Sequence, residues 1–66
     1  MDYRQLKRKI RIEYDSQNAF AMAINWHRNK VSAMVTGKYI PDVDEAADIS
    51  KALHLSVREH YKIFCA

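Results

Sequence analysis

The stretch QNAFAMAINWHRNKVSAMVT, residues 17–36, decides the fold because it contains two short helical patterns separated by only a few residues. In the second pattern, Val31 and Met34 recur at helical spacing and face one side. Two helices that cross steeply through a short turn need a small residue where their backbones approach and a turn residue that tolerates positive φ. Ala21 and Asn25 occupy those two positions. The stretch therefore predicts two packed helices joined by a tight turn.

Hydrophobic spacing divides the whole chain into five helices, which indicates an all-α fold. The second helix is expected to end at Asn25, and the third to run from about His27 to Val35. The residues on the apolar side of each helix are Tyr3, Leu6, Ile10 and Tyr14 in the first helix, Ala19, Phe20, Ala23 and Ile24 in the second, Val31, Met34 and Val35 in the third, Val43, Ala46, Ile49, Ala52 and Leu53 in the fourth, and Val57, Tyr61 and Phe64 in the fifth. Those of the second and third helices are expected to be buried.

Residues that favour helix starts and helix ends agree with this division into five helices. Asp15-Ser16 offers N-cap oxygens to the second helix, and Gly37 ends the third because glycine readily takes the left-handed conformation. Ile40-Pro41 keeps the chain extended before the fourth helix. Capping boxes are predicted at Asp42 with Glu45 and at Ser56 with Glu59.

Length and composition bound the class of protein. Sixty-six residues, 48% of them hydrophobic and 29% charged, with one glycine and one proline, favour a single small helical domain over residues 1–66. The single cysteine, Cys65, is most simply a free thiol in a reducing compartment. No apolar run is long enough for a membrane span, and the first residues lack the apolar core of a secretory signal. We expect a soluble cytoplasmic protein that does not bind membranes.

Charge is laid out unevenly along the chain. Residues 1–40 carry eight basic and three acidic residues, whereas residues 41–53 carry one basic and four acidic residues. A basic face suited to a polyanion and an acidic face are implied. The cluster RQLKRKIR, residues 4–11, has two interpretations: contact with flanking phosphate, or the solvated side of an amphipathic helix.

The segment from about Ser16 to Ser56 contains a set of residues that agree with one known pattern in order and spacing: Gln17, Ala21, Val31, Thr36-Gly37-Lys38, Ile40-Pro41 and the run from Ile49 to Ser56. In this pattern the chain resembles the phage-repressor and Cro-like helix-turn-helix proteins, also called XRE-like, and is most similar to small temperate-phage-associated members. The resemblance implies a lambda-repressor-like domain whose second and third helices form the helix-turn-helix.

Two positions depart from the family pattern. The usual turn glycine is Asn25, which enters the left-handed region more readily than most residues, so the fold is expected to survive. The usual Ser or Thr at the start of the third helix is His27, a poor N-cap by its residue type. The N–H groups at that helix start are therefore expected to lack a hydrogen-bond partner until a phosphate or a water binds.

The resemblance assigns DNA contacts, since the N-terminal end of the second motif helix enters the major groove in this family. Arginine matches the two acceptors of guanine and asparagine matches adenine, while a hydroxyl or a methyl group can face thymine. Base-reading roles are thereby implied for Arg28, Asn29, Ser32 and Ala33. Phosphate contacts are implied for Gln17, His27, Lys30, Thr36, Lys38 and Tyr39.

Other classes of site are not supported by the sequence. His27, His54 and His60 show no metal-ligand spacing, and no nucleophile, base and orienting group stand together. We therefore expect no metal, no cofactor, no small-molecule ligand and no enzymatic activity. Trp26 is interpreted as a core residue or a buried turn anchor.

The predicted function is a DNA-binding transcriptional regulator, a phage-type repressor or Cro-like factor that occupies an operator as a homodimer. The fifth helix is predicted to form the dimer contact, although Val57 and Phe64 could instead close the monomer's core. Two alternatives remain: an adaptor or antirepressor that captures another regulator through the acidic fourth helix and the aromatic C-terminus, and a DNA-binding antitoxin. The predicted dimer residues are Leu55, Val57, Tyr61, Ile63 and Phe64.

Overall fold

The computed structural model describes residues 1–65, which form five α-helices and no strand, within about 25 × 22 × 21 Å. The predicted all-α fold is confirmed. No helix within residues 1–65 has the length and apolar character needed to cross a membrane. In chain order the helices are α1 (Tyr3–Tyr14), α2 (Gln17–Ala23), α3 (Arg28–Val35), α4 (Val43–Ala52) and α5 (Val57–Phe64).

Each helix begins at a residue whose side chain accepts a hydrogen bond from a main-chain N–H of the first turn. This arrangement satisfies one of the N–H groups that a helix start leaves without an internal partner. Both predicted capping boxes are confirmed, at the starts of α4 and α5. The capping residues are Asp2, Ser16, His27, Asp42 and Ser56.

A residue with positive φ follows each of the first four helices. The predicted positive φ at Gly37 is confirmed at 83°, and that at Asn25 is confirmed at 60°. His54 has φ of 55°, and Asp15 has φ of 65° with ψ of −31°. Left-handed φ reverses the chain direction at a helix end, and side chains other than glycine enter it at an energetic cost.

The core lies between all five helices. Most stripe residues of α1 to α4 are buried or half-buried. The expected burial of Ala19 and Ala23 is wrong, since both are exposed, and Val43 on the α4 stripe is exposed as well. The α2 helix places Phe20 and Ala21 in the core. Ala19 and Ala23 therefore lie on its outer side. The residues exposed by 2% or less are Leu6, Ile10, Phe20, Ala21, Val31, Met34, Val35, Ile49, Leu53 and Ile63.

The orientation of α5 differs from the expected one. Ile63 is only 1% exposed, whereas Val57 and Tyr61 are 77% and 61% exposed. The reason lies in how α5 docks on α1. The Asp2 N–H donates to the Ile63 carbonyl at 2.8 Å, and Lys9 Nζ lies 2.5 Å from Glu59 Oε2. These contacts turn Ile63 into the core.

The turn between α2 and α3 is short and tied to the helix that precedes it. The Trp26 N–H donates to the Ala21 carbonyl at 2.8 Å, and the Asn25 N–H donates to the Met22 carbonyl at 3.2 Å. Ala21 is 1% exposed, as its predicted place at the helix crossing requires. Beside it, the Phe20 ring lies 5.3 Å from the Tyr14 ring, between centroids.

The first prediction concerns α5. Ile63→Ala should lower the free energy of unfolding by about 2 to 5 kcal/mol because it opens a cavity in the core. The exposed Val57→Ala should change it by no more than about 0.5 kcal/mol. Denaturant unfolding at low protein concentration measures both. Equal effects of the two substitutions would contradict the burial of Ile63.

The second prediction concerns the turn. Asn25→Ala should lower the free energy of unfolding by about 1 kcal/mol because alanine is strained at left-handed φ, whereas Asn25→Gly should stay within about 0.5 kcal/mol. Asn18→Ala, the same change at an exposed position inside α2, is the control and should not destabilise. Thermal unfolding compares the three variants. A loss at Asn18→Ala as large as at Asn25→Ala would contradict a special role of the turn.

Candidate nucleic-acid interface

The outer face of α3 presents four of the predicted contact residues together. Arg28, Asn29 and Ser32 are exposed, and Ala33 is half-buried. At 100° per residue these four residues span an arc of about 140°, opposite the buried side of the helix. Within residues 1–65, the side chains of Arg28, Asn29 and Ser32 have no hydrogen-bond or ion-pair partner. This face is therefore free to make polar contacts outside the chain. The buried side consists of Val31, Met34 and Val35.

The expectation that His27 is a poor N-cap is wrong. Its backbone is extended, with φ of −69° and ψ of 140°, and its Nδ1 accepts the Asn29 N–H at 3.1 Å. An Nδ1 that accepts carries no proton, so a neutral ring holds its proton on Nε2. His27 is exposed, and an Nε2–H group is a donor of the kind that a phosphate oxygen accepts.

At the other end of α3, Thr36 and Lys38 have different surroundings. The Thr36 hydroxyl lies 2.9 Å from the Ser32 carbonyl and 3.2 Å from the Ala33 carbonyl, so its proton is already donated within the chain. Lys38 is exposed and forms no ion pair with any residue from 1 to 65. Its main-chain N–H donates to the Ala33 carbonyl at 2.8 Å, which fixes the backbone of the turn.

Lys30 and Tyr39 are held by a carboxylate of α4. Lys30 Nζ lies 2.7 Å from Glu45 Oε2, and the Tyr39 hydroxyl donates to Glu45 Oε1 at 2.6 Å. These two hydrogen bonds, followed by that from the Asp42 N–H, lower the pKa of Glu45 to about 2. The hydrogen bond to Glu45 also raises the pKa of Lys30 and of Tyr39. Both predicted phosphate contacts therefore already have a partner inside the chain.

Gln17 stands at the start of α2 beside an unpaired basic surface. A cleft of about 750 Å³ runs between α1 and this helix start, and Gln17 lines it. None of the four basic residues that line the cleft has an acidic partner within residues 1–65. We call them the α1 basic face: Arg4, Lys7, Arg8 and Arg11.

Two residues near α3 have roles that the sequence did not reveal. Glu45 was expected only to complete a capping box, yet its carboxylate also joins α4 to Lys30 and Tyr39. Trp26 is half-buried and packs against the core as expected, but it also lies beneath the Lys30 ammonium, 4.1 Å from its ring centroid. A capping pattern is a local signal. No local signal shows which cation a capping carboxylate meets across 15 residues of chain.

Comparison with known proteins agrees with this geometry. A family model described as helix-turn-helix matches residues 3–60, which include α1 to α4 and the start of α5. No curated protein and no solved structure matches the chain. The family is a DNA-binding regulatory one rather than an enzymatic one. The chain belongs to the XRE-type helix-turn-helix family and is a DNA-binding transcription regulator.

Proposed function

We propose that the protein binds an operator in a sequence-specific manner as a homodimer and represses transcription in the manner of a phage repressor or Cro-like factor. One observation carries the proposal: the start of α3, the second motif helix, presents exposed polar side chains with no partner in the chain. In a helix-turn-helix protein this end of the helix enters the major groove. We refer to α3 as the recognition helix from here on.

The side chains on this face suit particular bases. The Arg28 guanidinium can donate two hydrogen bonds to guanine, and the Asn29 amide can pair with adenine. Ser32 lies one turn beyond Arg28 and offers a hydroxyl, while Ala33 offers a methyl group to thymine. Base-edge contacts of this kind discriminate between sequences, whereas phosphate contacts set position and orientation.

Phosphate contact is proposed at three residues that remain available. Gln17 begins α2 beside the cleft, His27 has an Nε2–H group to offer, and Lys38 is an unpaired cation after the recognition helix. The α1 basic face adds positive potential beside Gln17, which attracts a polyanion at long range. The Thr36 hydroxyl could join only by giving up its internal hydrogen bonds.

Dimerisation is proposed through α5. Val57 and Tyr61 are the most exposed apolar residues of this helix, and Leu55 and Phe64 are partly buried beside them. Ile63 is withdrawn from the predicted dimer surface because the core covers it. So small an apolar surface suits a weak, transient interface of less than about 1,200 Å². A palindromic operator would then bring two copies together at half-sites about one helical turn apart.

Repression would follow from occupancy. A dimer on a promoter excludes polymerase, and the fraction of operator occupied is set by the protein's own concentration. The site of action would be the cytoplasm of a prokaryotic cell, where the DNA lies.

Base readout is tested with two single substitutions. Arg28→Ala should weaken binding to the preferred site by about 1 to 3 kcal/mol and relax the preference at one base pair. Lys38→Ala should weaken binding to all sequences alike and reduce the slope of log K against log salt by about one. Selection from a random duplex pool, followed by titrations at several salt concentrations, measures both. A wild-type protein that selects no sequence would favour the adaptor function over operator binding.

Dimerisation is tested with a matched pair of valines. Val57 and Val43 are both the first residue of a helix and are 77% and 85% exposed. Val57→Gln should reduce cooperative binding to a palindromic site and the dimer fraction in sedimentation, because it places an amide in the apolar contact. Val43→Gln should change neither measurement. Equal behaviour of the two variants, or a strict monomer on palindromic DNA, would overturn the α5 dimer.

A further inference from the structure

Four side chains from separate segments meet at the inner edge of the recognition helix. They are Trp26 from the turn before it, Lys30 within it, Tyr39 from the loop after it, and Glu45 from α4. We call this group the α3–α4 clasp. The closest backbone packing of α3 is with α2 and α1, so its link to α4 is made largely by side chains.

Both oxygens of the Glu45 carboxylate accept hydrogen bonds. Oε2 accepts from Lys30 Nζ at 2.7 Å, while Oε1 accepts from the Tyr39 hydroxyl at 2.6 Å and the Asp42 N–H at 3.0 Å. Hydrogen bonds to an ionised group are stronger than those between neutral groups. The lowered pKa of Glu45 keeps this carboxylate charged throughout the pH range in which the protein would meet DNA.

The Lys30 ammonium also lies over two aromatic rings. Its Nζ lies 4.1 Å from the Trp26 ring centroid and 5.2 Å from that of Tyr39, and the two rings meet edge to face at 87°. Cations over such rings are attracted by the negative ring face. The Lys30 and Glu45 side chains are 37% and 18% exposed, so their pair is less screened than a fully exposed one.

Lys30 also points away from the arc of the helix that runs from Arg28 to Ala33. At 100° per residue it lies about 60° beyond Ala33, toward the buried side of the helix. A phosphate contact by Lys30 would therefore require it to leave both Glu45 and the rings. The geometry favours a contact within the chain over one with DNA.

We propose that Lys30 and Glu45 are positioning residues: the α3–α4 clasp holds the start of the recognition helix in the orientation that Arg28 and Asn29 need in the groove. This inference rests on the proposed operator binding, and it replaces the predicted phosphate contact of Lys30. Tyr39 likewise acts by orienting Glu45 and not by binding the DNA backbone. Glu45, an acidic residue, thereby strengthens the specific binding of a polyanion.

Whether substitution of Glu45 strengthens or weakens DNA binding distinguishes a phosphate-binding role of Lys30 from a positioning role. If Lys30 binds phosphate, Glu45→Gln removes a competing negative charge and should strengthen binding to every DNA. If Lys30 is a positioning residue, Glu45→Gln should weaken binding to the preferred site about five- to tenfold, with non-specific binding and the salt slope unchanged. Asp44→Asn is the matched control, since Asp44 is an exposed carboxylate on the same helix turn with no ion-pair partner in residues 1–65.

The experiment compares wild type with Glu45→Gln, Lys30→Gln, the double variant and Asp44→Asn. Each is titrated with the duplex selected by the wild type and with a scrambled duplex, at several salt concentrations and at a temperature where circular dichroism shows it folded. The proposal expects the double variant to bind no worse than either single variant, because both remove the same clasp. It is overturned by tighter binding of Glu45→Gln, or by a Lys30→Gln salt slope lower by about one on both duplexes.

A measurement without DNA keeps the clasp testable by itself. Amide hydrogen exchange in the free protein should accelerate at the start of the recognition helix, from Asn29 to Val31, in Glu45→Gln and Lys30→Gln but not in Asp44→Asn. Unchanged exchange in all three would overturn the positioning role. The two proposals can fail separately. If the wild type selects no duplex but exchange is faster in Glu45→Gln than in the wild type, the result counts against operator binding and supports the clasp.

Discussion

The functional face depends on one backbone constraint, the left-handed conformation of Asn25 between α2 and α3. With φ of 60° at Asn25, the Trp26 N–H reaches the Ala21 carbonyl at 2.8 Å. That hydrogen bond and the small, buried Ala21 set the closeness and direction of the helix crossing. One side of α3 is thereby fixed on the core while the opposite side faces solvent. Another turn conformation would keep α3 helical but aim Arg28 in a different direction.

Positive φ also follows α1, α3 and α4, and each position supports it differently. Gly37 has φ of 83°, and a Cβ there would lie 3.2 Å from the Tyr3 ring, so both the backbone and the available space favour glycine. His54 combines left-handed φ with a contact from its Nδ1 to Glu13 Oε1 at 2.8 Å. Asp15 donates its main-chain N–H to the Arg11 carbonyl at 3.0 Å. In a chain with a single glycine, such contacts help to offset strain at helix ends.

Local signals in the sequence predicted the helices, the two capping boxes and the residues of α3 that face the core, because caps and helical periodicity act within one or two turns. These local signals did not predict the orientation of α5. Val57, Tyr61 and Phe64 form the apolar stripe of α5 and Ile63 lies off it, yet Ile63 is the residue that the docking of α5 against α1 buries. The His27 cap was missed because residue type alone ranks histidine low at that position. Tertiary contacts decided the orientation of α5, and local backbone geometry decided the His27 cap.

The number of basic residues in residues 1–40 overstates the positive charge that DNA could meet. Lys30 is neutralised by Glu45 and Lys9 by Glu59, so two cations of the basic half already have carboxylate partners. Each phosphate that a protein neutralises contributes about 0.9 to the salt slope, so the number of free cations limits the non-specific attraction of one monomer. Under the proposed base readout by Arg28, the free cations of residues 1–40 that remain for phosphate contacts are Lys38 and the α1 basic face. Phosphate contacts carry no sequence information, whereas the proposed dyad would double the base contacts without adding a residue to the chain. Under the proposed operator binding, a second copy would therefore add specificity that further surface charge would not.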